Sequence, residues 1–256
     1  MNKMLLVLLS FFVSVNLAFS KDNLTYGLGL SVLSTPSYLG SKNQELRVVP
    51  FPYIEYKSKY INIDKDKIYN EFYNKDRLKV EVSIRGMLPS KSEESARVGM
   101  EDLDLIIEVG PKFIYDIYSK NDMNIDFELP FRAAFSIGNS LEHQGFLGSF
   151  DLKYKNKLLN NYTFSFTTGL GFADKKFNNY YYEVNSQDVT SIRTEYHSKS
   201  GYSGWHNALA LTKRDEHMWY GGFIKHYYLD GVVFKDSSLL ETKNSLFYGL
   251  AFSYLF

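Results

Sequence analysis

Apolar and polar residues alternate along most of the chain, and the clearest case is the last stretch, Asn244 to Phe256. The positions between its apolar residues carry the small residues Gly249, Ala251 and Ser253. Successive side chains of a strand point to opposite faces, so this stretch predicts a strand with one apolar and one small or polar face. Its apolar face consists of Tyr248, Leu250, Phe252, Tyr254 and Phe256.

The same period of two recurs upstream and predicts about twelve strands, within a range of about ten to fourteen. Two of them, 60–63 and 68–73, are weak, and the count without them is about ten. Pro50 and Pro52 interrupt another and are expected to bend it, because proline cannot donate to a strand ladder. The remaining predicted strands are 24–33, 46–56, 77–87, 102–118, 124–138, 150–155, 161–173, 202–212, 218–228 and the closing strand.

The connections between these strands alternate in length. Short ones lie at 57–59, 74–76, 119–121, 156–160 and 213–217. Longer ones lie at 34–45, 88–101, 139–145, 174–201 and 230–242, and a short one at 64–67 breaks the rule. Short turns at one end and long loops at the other are typical of bacterial outer-membrane barrels.

Alternation alone leaves two folds open, a soluble barrel with an apolar core and a membrane barrel with an apolar exterior. The loop lengths, the terminal Phe strand and the aromatic residues beside the short turns, among them Trp219 and Tyr220, favour the membrane. We therefore predict an all-β fold, a transmembrane antiparallel up-and-down β-barrel. Small residues near 27–29, 169–171 and 249–251 are expected to face a crowded lumen. The closing strand resembles the assembly signal of such barrels, which implies outer-membrane lipid and the barrel-assembly machinery as partners.

Composition narrows the setting of this barrel. Residues 1–20 have the basic start, apolar run and small residues of a secretory signal, with cleavage near Ser20/Lys21, so the barrel is assigned to 21–256. The chain contains no cysteine, which excludes disulfides and thiolate sites. Its 29 Lys and Arg balance 29 Asp and Glu, so charge gives no reason to expect nucleic-acid binding.

Charged residues on the small or polar faces predict an ion-pair network inside the barrel. If Tyr118 opposes Asp122, Glu108 faces Arg132 and Lys112 faces Glu128. Such a network can fill a narrow barrel, which is the favoured interpretation, or line a water path for small solutes. The predicted lumen charge network consists of Lys79, Glu81, Arg85, Glu108, Lys112, Glu128 and Arg132.

The sequence carries no strong catalytic or metal-binding motif. None of its five histidines forms a metal-spaced pair. His197 beside Ser198 could form a dyad of a lipid-modifying hydrolase, but a loop histidine is more often simply solvated. We therefore predict a protein that is not an enzyme, with no catalytic, cofactor-binding or metal residues and no cofactor.

A set of short motifs occurs in a specific order. They are Pro36–Ser41, Pro50–Tyr53, Gly110–Pro111, Phe172–Asp174, Asn178–Val184, Trp219–Gly222, Asp236–Ser238 and Tyr248–Phe256. In order and spacing they resemble the MipA/OmpV family of outer-membrane proteins, although Ser238 stands where the family often has proline. The resemblance implies an outer-membrane barrel of this size. The family's named member bridges a murein-cleaving transglycosylase and a murein synthase, so the resemblance implies a scaffold for cell-envelope organisation with periplasmic murein enzymes as partners. A small-solute channel is the alternative.

Overall fold

The computed structural model describes residues 24–57, 62–64, 67–69, 71–93 and 95–256. The predicted signal segment lies outside this part of the chain. The described residues form thirteen strands in one antiparallel sheet. They are β1 Leu24–Pro36, β2 Gln44–Lys57, β3 Asn62–Asp64, β4 Lys67–Tyr69, β5 Glu71–Lys75, β6 Leu78–Met87, β7 Leu105–Lys120, β8 Met123–Ile137, β9 Leu141–Lys157, β10 Tyr162–Ala173, β11 Gly201–Arg214, β12 Met218–Tyr228 and β13 Asn244–Leu255.

Every strand pairs with its neighbour in sequence except β4 and β5, which do not pair with each other, and the first strand pairs with the last. The register joins Gly27 to Leu255 and Ser34 to Tyr248, so β13 closes onto β1. This is the up-and-down barrel that the sequence predicts. Ten strands have ten or more residues. The short β3, β4 and β5 occupy the region of the two weak candidates.

The apolar residues of the alternating pattern point outward. Leu28, Phe131 and Leu250 are 56%, 54% and 72% exposed, although each lies in the middle of a long strand. Glu81, Glu108 and Ser253, on the opposite faces, are buried. A soluble barrel would have the reverse arrangement, so the membrane interpretation is confirmed. None of the described helices is long and apolar enough to cross a membrane.

The short turns collect at one end of the barrel. Asp76, Asn121, Asn160 and Asn161 lie in them with backbone φ between 53° and 62°, in the left-handed region. Asn and Asp tolerate this region better than other residues with a side chain, which explains their place in such tight connections.

One predicted loop is wrong. The predicted connection 139–145 is mostly strand, because β9 begins at Leu141 and leaves only 138–140 between the strands. A register shift at Ala134/Phe135 and the positive φ of Gly145 disturb the alternation of apolar and polar residues here. The sequence pattern therefore does not predict this part of β9.

Backbone pairing does not close the sheet completely. A gap in the pairing lies in the segment between β2 and β6. The sheet order ends at β4 and β5, which follow each other in the chain. Pro50 and Pro52 pair in register with Leu30 and Leu28, with no register shift between β1 and β2, and β2 is an edge strand beyond its short pairing with β3. An edge strand tolerates proline, because its outer N–H groups have no partner strand. Pro50 and Pro52 are therefore compatible with β2, the long strand nearest the gap in the sheet.

Candidate functional site

Four long connections meet over one end of the barrel. They are residues 37–43, 88–104, 174–200 and 229–243, and we call their packed assembly the cap. Its buried cluster joins side chains from all four connections to the upper ends of the strands. The cluster consists of Tyr38, Leu103, Ile106, Ala134, Tyr181, Tyr182, Val184, Leu229, Val232, Phe234 and Leu239.

The helix α1 Lys175–Tyr182 carries Tyr181 and Tyr182 into the cap. Asp174 begins it, since its carboxylate accepts a hydrogen bond from the Phe177 amide at 2.8 Å. This is ordinary N-terminal capping of a helix. Tyr181 and Tyr182 lie in the last turn and are both buried. The first part of the predicted loop 174–201, which contains the helix, is therefore packed, whereas most of 185–200 is exposed.

Tyr182 joins its own connection, 174–200, to the connections 37–43 and 229–243. Its ring stacks on Phe234, with 3.7 Å between the ring centroids and 7° between the planes. Its hydroxyl donates to the Leu39 carbonyl at 2.8 Å, and Ser237 Oγ donates to the Tyr182 carbonyl at 2.8 Å. Burial raises the pKa of Tyr182, so the hydroxyl stays protonated and remains a donor.

Two buried arginines bind backbone carbonyls in the same cap. Arg97 donates to the Tyr181 carbonyl at 2.8 Å. Arg193 donates to the carbonyls of Ala96 and Val98 at 2.9 and 3.0 Å. These bonds satisfy backbone carbonyls of the loops, and they fix the connection 88–104 against the connection 174–200.

Below the cap, Lys112 is the centre of an ion-pair network in the lumen. Its ammonium lies 2.8 Å from Glu81 Oε1 and 3.3 Å from Glu128 Oε2. Lys153 Nζ lies 3.6 Å from the other oxygen of Glu128. Glu81, Lys112 and Glu128 are all buried, whereas Lys79, nearer the short turns, is exposed.

The predicted register of the β7–β8 hairpin is wrong by two positions. Lys112 pairs directly with Pro130, and Glu108 pairs with Ala134. Long side chains still reach diagonally across the pair, which brings Lys112 to Glu128. Arg132 Nη1 lies 3.9 Å from Glu108 Oε2, and Arg132 Nε donates to Ser83 Oγ at 2.9 Å. The contact between Arg132 and Glu108 is therefore an ion pair without a hydrogen bond.

Sequence reasoning missed several inward polar residues. Asp151 and His206 are both buried, and Asp151 Oδ1 lies 3.3 Å from His206 Nε2. Lys153 was missed as well. The alternation of Asp151 and Lys153 with the outward Phe150 and Leu152 was the signal that could have placed them.

Trp219 was expected at the outer aromatic girdle, and this is wrong. It points into the lumen near the short turns, where it is 5% exposed and stacks on Phe51 with 5.0 Å between centroids. A Cβ on Gly221 would lie 2.3 Å from the Trp219 ring, so a glycine is required beneath the indole. Tyr220, the next residue, points outward as expected.

The closing strand presents its apolar residues outward. Tyr254 and Phe256 form an edge-to-face pair with 5.2 Å between centroids, and Phe256 also stacks on Tyr26 at 5.5 Å. The Phe256 amide donates to the Tyr26 carbonyl at 2.9 Å. Tyr248, Leu250 and Phe252 continue the same exposed face.

The surroundings of His197 do not form a Ser–His dyad. His197 Nδ1 lies 2.7 Å from Glu183 Oε1, and Nε2 lies 3.4 Å from Glu195 Oε1. Both ring nitrogens therefore approach carboxylates, and neither is hydrogen-bonded to Ser198. The hydrogen bond to Glu183 raises the pKa of His197. Among the described residues, no three His, Cys, Asp or Glu side chains are placed to hold a metal ion.

The sequence matches the family described as MltA-interacting protein MipA over residues 28–256. The chain belongs to the MipA family. The resemblance found in the motifs is thereby confirmed, and the protein is an outer-membrane β-barrel protein. No curated protein matches the sequence.

Several solved structures are similar in fold to this MipA-family chain. The NanC porin shares 10% identity at a TM-score of 0.41, covering 91% of this chain and 98% of its own. A bacterial polysaccharide outer membrane secretin shares 8% at 0.45, covering 93% and 100%. OprG from Pseudomonas aeruginosa shares 9% at 0.28, covering 91% and 96%.

Three motifs that carry the MipA/OmpV resemblance meet in the cap. Tyr38 comes from the first, Tyr182 from α1 and Ser237 from the last connection. Tyr38 Oη donates to the Leu239 carbonyl at 2.8 Å, which joins the first connection to the last. These motifs, which lie far apart in sequence, build one structural unit.

Proposed function

We propose that this MipA-family barrel is a non-enzymatic scaffold of the cell envelope, whose short periplasmic turns bind a murein-cleaving or murein-synthesising enzyme. The family description, an MltA-interacting protein, supports a protein partner. The observation that carries a scaffold rather than an open pore is the cap, whose buried cluster covers one end of the barrel. Below it, the charges around Lys112 are paired with one another rather than free to attract a passing ion.

Crosslinking from the two ends of the barrel tests this proposal. A photoreactive residue is placed at Asp122 or Glu216, exposed positions in two short turns. A matched variant carries it at Ile192, which is 90% exposed on the cap. We expect a murein enzyme to be captured from the turns and not from the cap. Capture of no murein enzyme from either turn, at normal levels of the barrel, would contradict the scaffold.

A small-solute channel is the second candidate, because a cavity of about 290 Å³ lies between the cap and the ion-pair network. Charged side chains line it, as they do in selective pores. Planar-bilayer recordings of the refolded protein distinguish the two. A scaffold inserts into the bilayer without conducting ions. Steady conductance steps that scale with salt concentration would favour the channel.

A further inference from the structure

The cavity below the cap has an excess of positive charge. Arg85, Arg132 and Lys225 line it together with Glu108, which is its one carboxylate residue among the described lining residues. Arg47 also lines it but is ion-paired with Glu45. Three cations against one carboxylate leave room for at least one further negative charge.

Two of these cations are not in ion-pair contact with any described carboxylate. Among the described residues, no carboxylate oxygen lies within 4.0 Å of Arg85 or Lys225. Arg85 is exposed although its strand position faces the lumen, so it is open to the cavity. Lys225 Nζ lies 4.5 Å from the centroid of the Tyr227 ring, and the ring belongs to the same wall.

Aromatic rings form another part of the wall. Tyr181 and Tyr182 line the cavity from the cap, and Phe223 and Phe247 line it from β12 and β13. Phe223 is 37% exposed, although it lies on the inward side of its strand. A Cβ on Gly249 would lie 2.9 Å from the Phe223 ring, so this glycine makes room for the ring inside the barrel. A large apolar ring that faces an internal charged cavity provides a surface on which a flat ligand can stack.

We propose that this cavity is a binding site for a small organic monoanion, in which a carboxylate is joined to a flat apolar body. Arg85 and Lys225 bind the carboxylate, since charge-assisted hydrogen bonds are strong away from bulk water. Phe223 and Phe247 hold the apolar body against the wall. The volume of about 290 Å³ lies just below the usual range of ligand pockets, about 300–1,000 Å³, and suits a single-ring compound. The proposal does not depend on the scaffold role.

Calorimetric titration of the refolded protein in detergent tests the site with three probes of similar shape. Benzoate is the anion, benzyl alcohol the neutral analogue and benzylamine the cation. We expect saturable binding of benzoate, binding of benzyl alcohol at least about tenfold weaker, or about 1.4 kcal/mol, and no binding of benzylamine. Equal binding of all three, or no binding of benzoate, would overturn the proposal.

Single substitutions test whether the cations of the cavity bind the carboxylate of benzoate. Arg85→Gln and Lys225→Gln are each expected to weaken benzoate binding about tenfold or more. Lys157→Gln, at the exposed end of β9, is the matched control and leaves binding unchanged. Heat-dependent electrophoretic mobility verifies that each variant is a folded barrel. Folded variants that bind benzoate as the wild type does would refute the site. Because purified protein is used without a partner, this result is separate from the crosslinking of the turns.

Discussion

The rings of Tyr182 and Phe234 lie face to face, 3.7 Å apart, and join the helix of one loop to the last loop of the barrel. Neither ring belongs to a strand, and both are buried. The order of the cap therefore depends on contacts between segments about fifty residues apart in the chain rather than on the sheet.

Tyr182→Ala is expected to loosen the cap while the barrel stays folded. The variant loses the ring stack and the hydrogen bond to the Leu39 carbonyl, and truncation of a buried aromatic residue costs about 3–5 kcal/mol. The amides of Val184 and Tyr196, which pair with each other's carbonyls, are expected to exchange hydrogen more than about a hundredfold faster. Ile192→Ala, at an exposed position in the same connection, is the control. Unchanged exchange in Tyr182→Ala would show that the stack does not hold the cap.

Lys112→Met is expected to destabilise the barrel by about 3–5 kcal/mol, because two buried carboxylates lose the ammonium between them. Glu128 keeps Lys153 at 3.6 Å, so its loss of the Lys112 ammonium is partly compensated. The double variant Lys112→Met, Glu81→Gln is expected to regain much of the stability. Urea unfolding in lipid vesicles measures both, with Lys157→Met as the control. Losses that simply add in the double variant would contradict the pairing of Lys112 with Glu81.

The sequence predicts the strands of this barrel better than their register. The period of two identified the outward faces, since every second residue of a strand must meet lipid. The β7–β8 hairpin was misaligned because its turn consists of Asn121 and Asp122 alone and a bulge follows at Asp116/Tyr118. Neither feature changes the alternation enough to be read from it.

The site was less predictable than the sheet. The alternation of side chains along the strands correctly predicted that Lys112 and Glu128 face the lumen. Lys225 and Tyr227 were predicted only to lie in a strand. The cap could not be predicted, because its cluster joins loops from four parts of the chain and loops carry no periodic pattern. Trp219 was misplaced because a tryptophan beside a turn usually lies at the membrane interface.

His197 is expected to make the cap pH-dependent. Its pKa is raised by the hydrogen bond to Glu183, so the protonated ring is favoured in the folded cap. The contribution of protonated His197 to the stability of the cap is fully present below the pKa of the unfolded state, about 6.5. It is lost as pH rises through the higher pKa of the folded state. NMR titration of the imidazole is expected to give a pKa above that of an unstructured peptide. Glu183→Gln lowers it, and Glu216→Gln at the opposite end leaves it unchanged. An ordinary pKa in the wild type would contradict the contact.

Phe256 is expected to act in assembly more than in stability. Its ring lies on the exposed face of the last strand, 62% exposed, and its only described ring neighbours are Tyr26 and Tyr254. If the barrel-assembly machinery binds this exposed face, Phe256→Ser lowers the amount of protein in the outer membrane several-fold. The same variant, purified and refolded into detergent, still forms the barrel, because β13 remains paired with β1 and β12. Leu159→Ser, in a short turn with an 88% exposed side chain, is the control. Normal membrane levels of Phe256→Ser would show that the Phe256 ring is not part of the assembly signal.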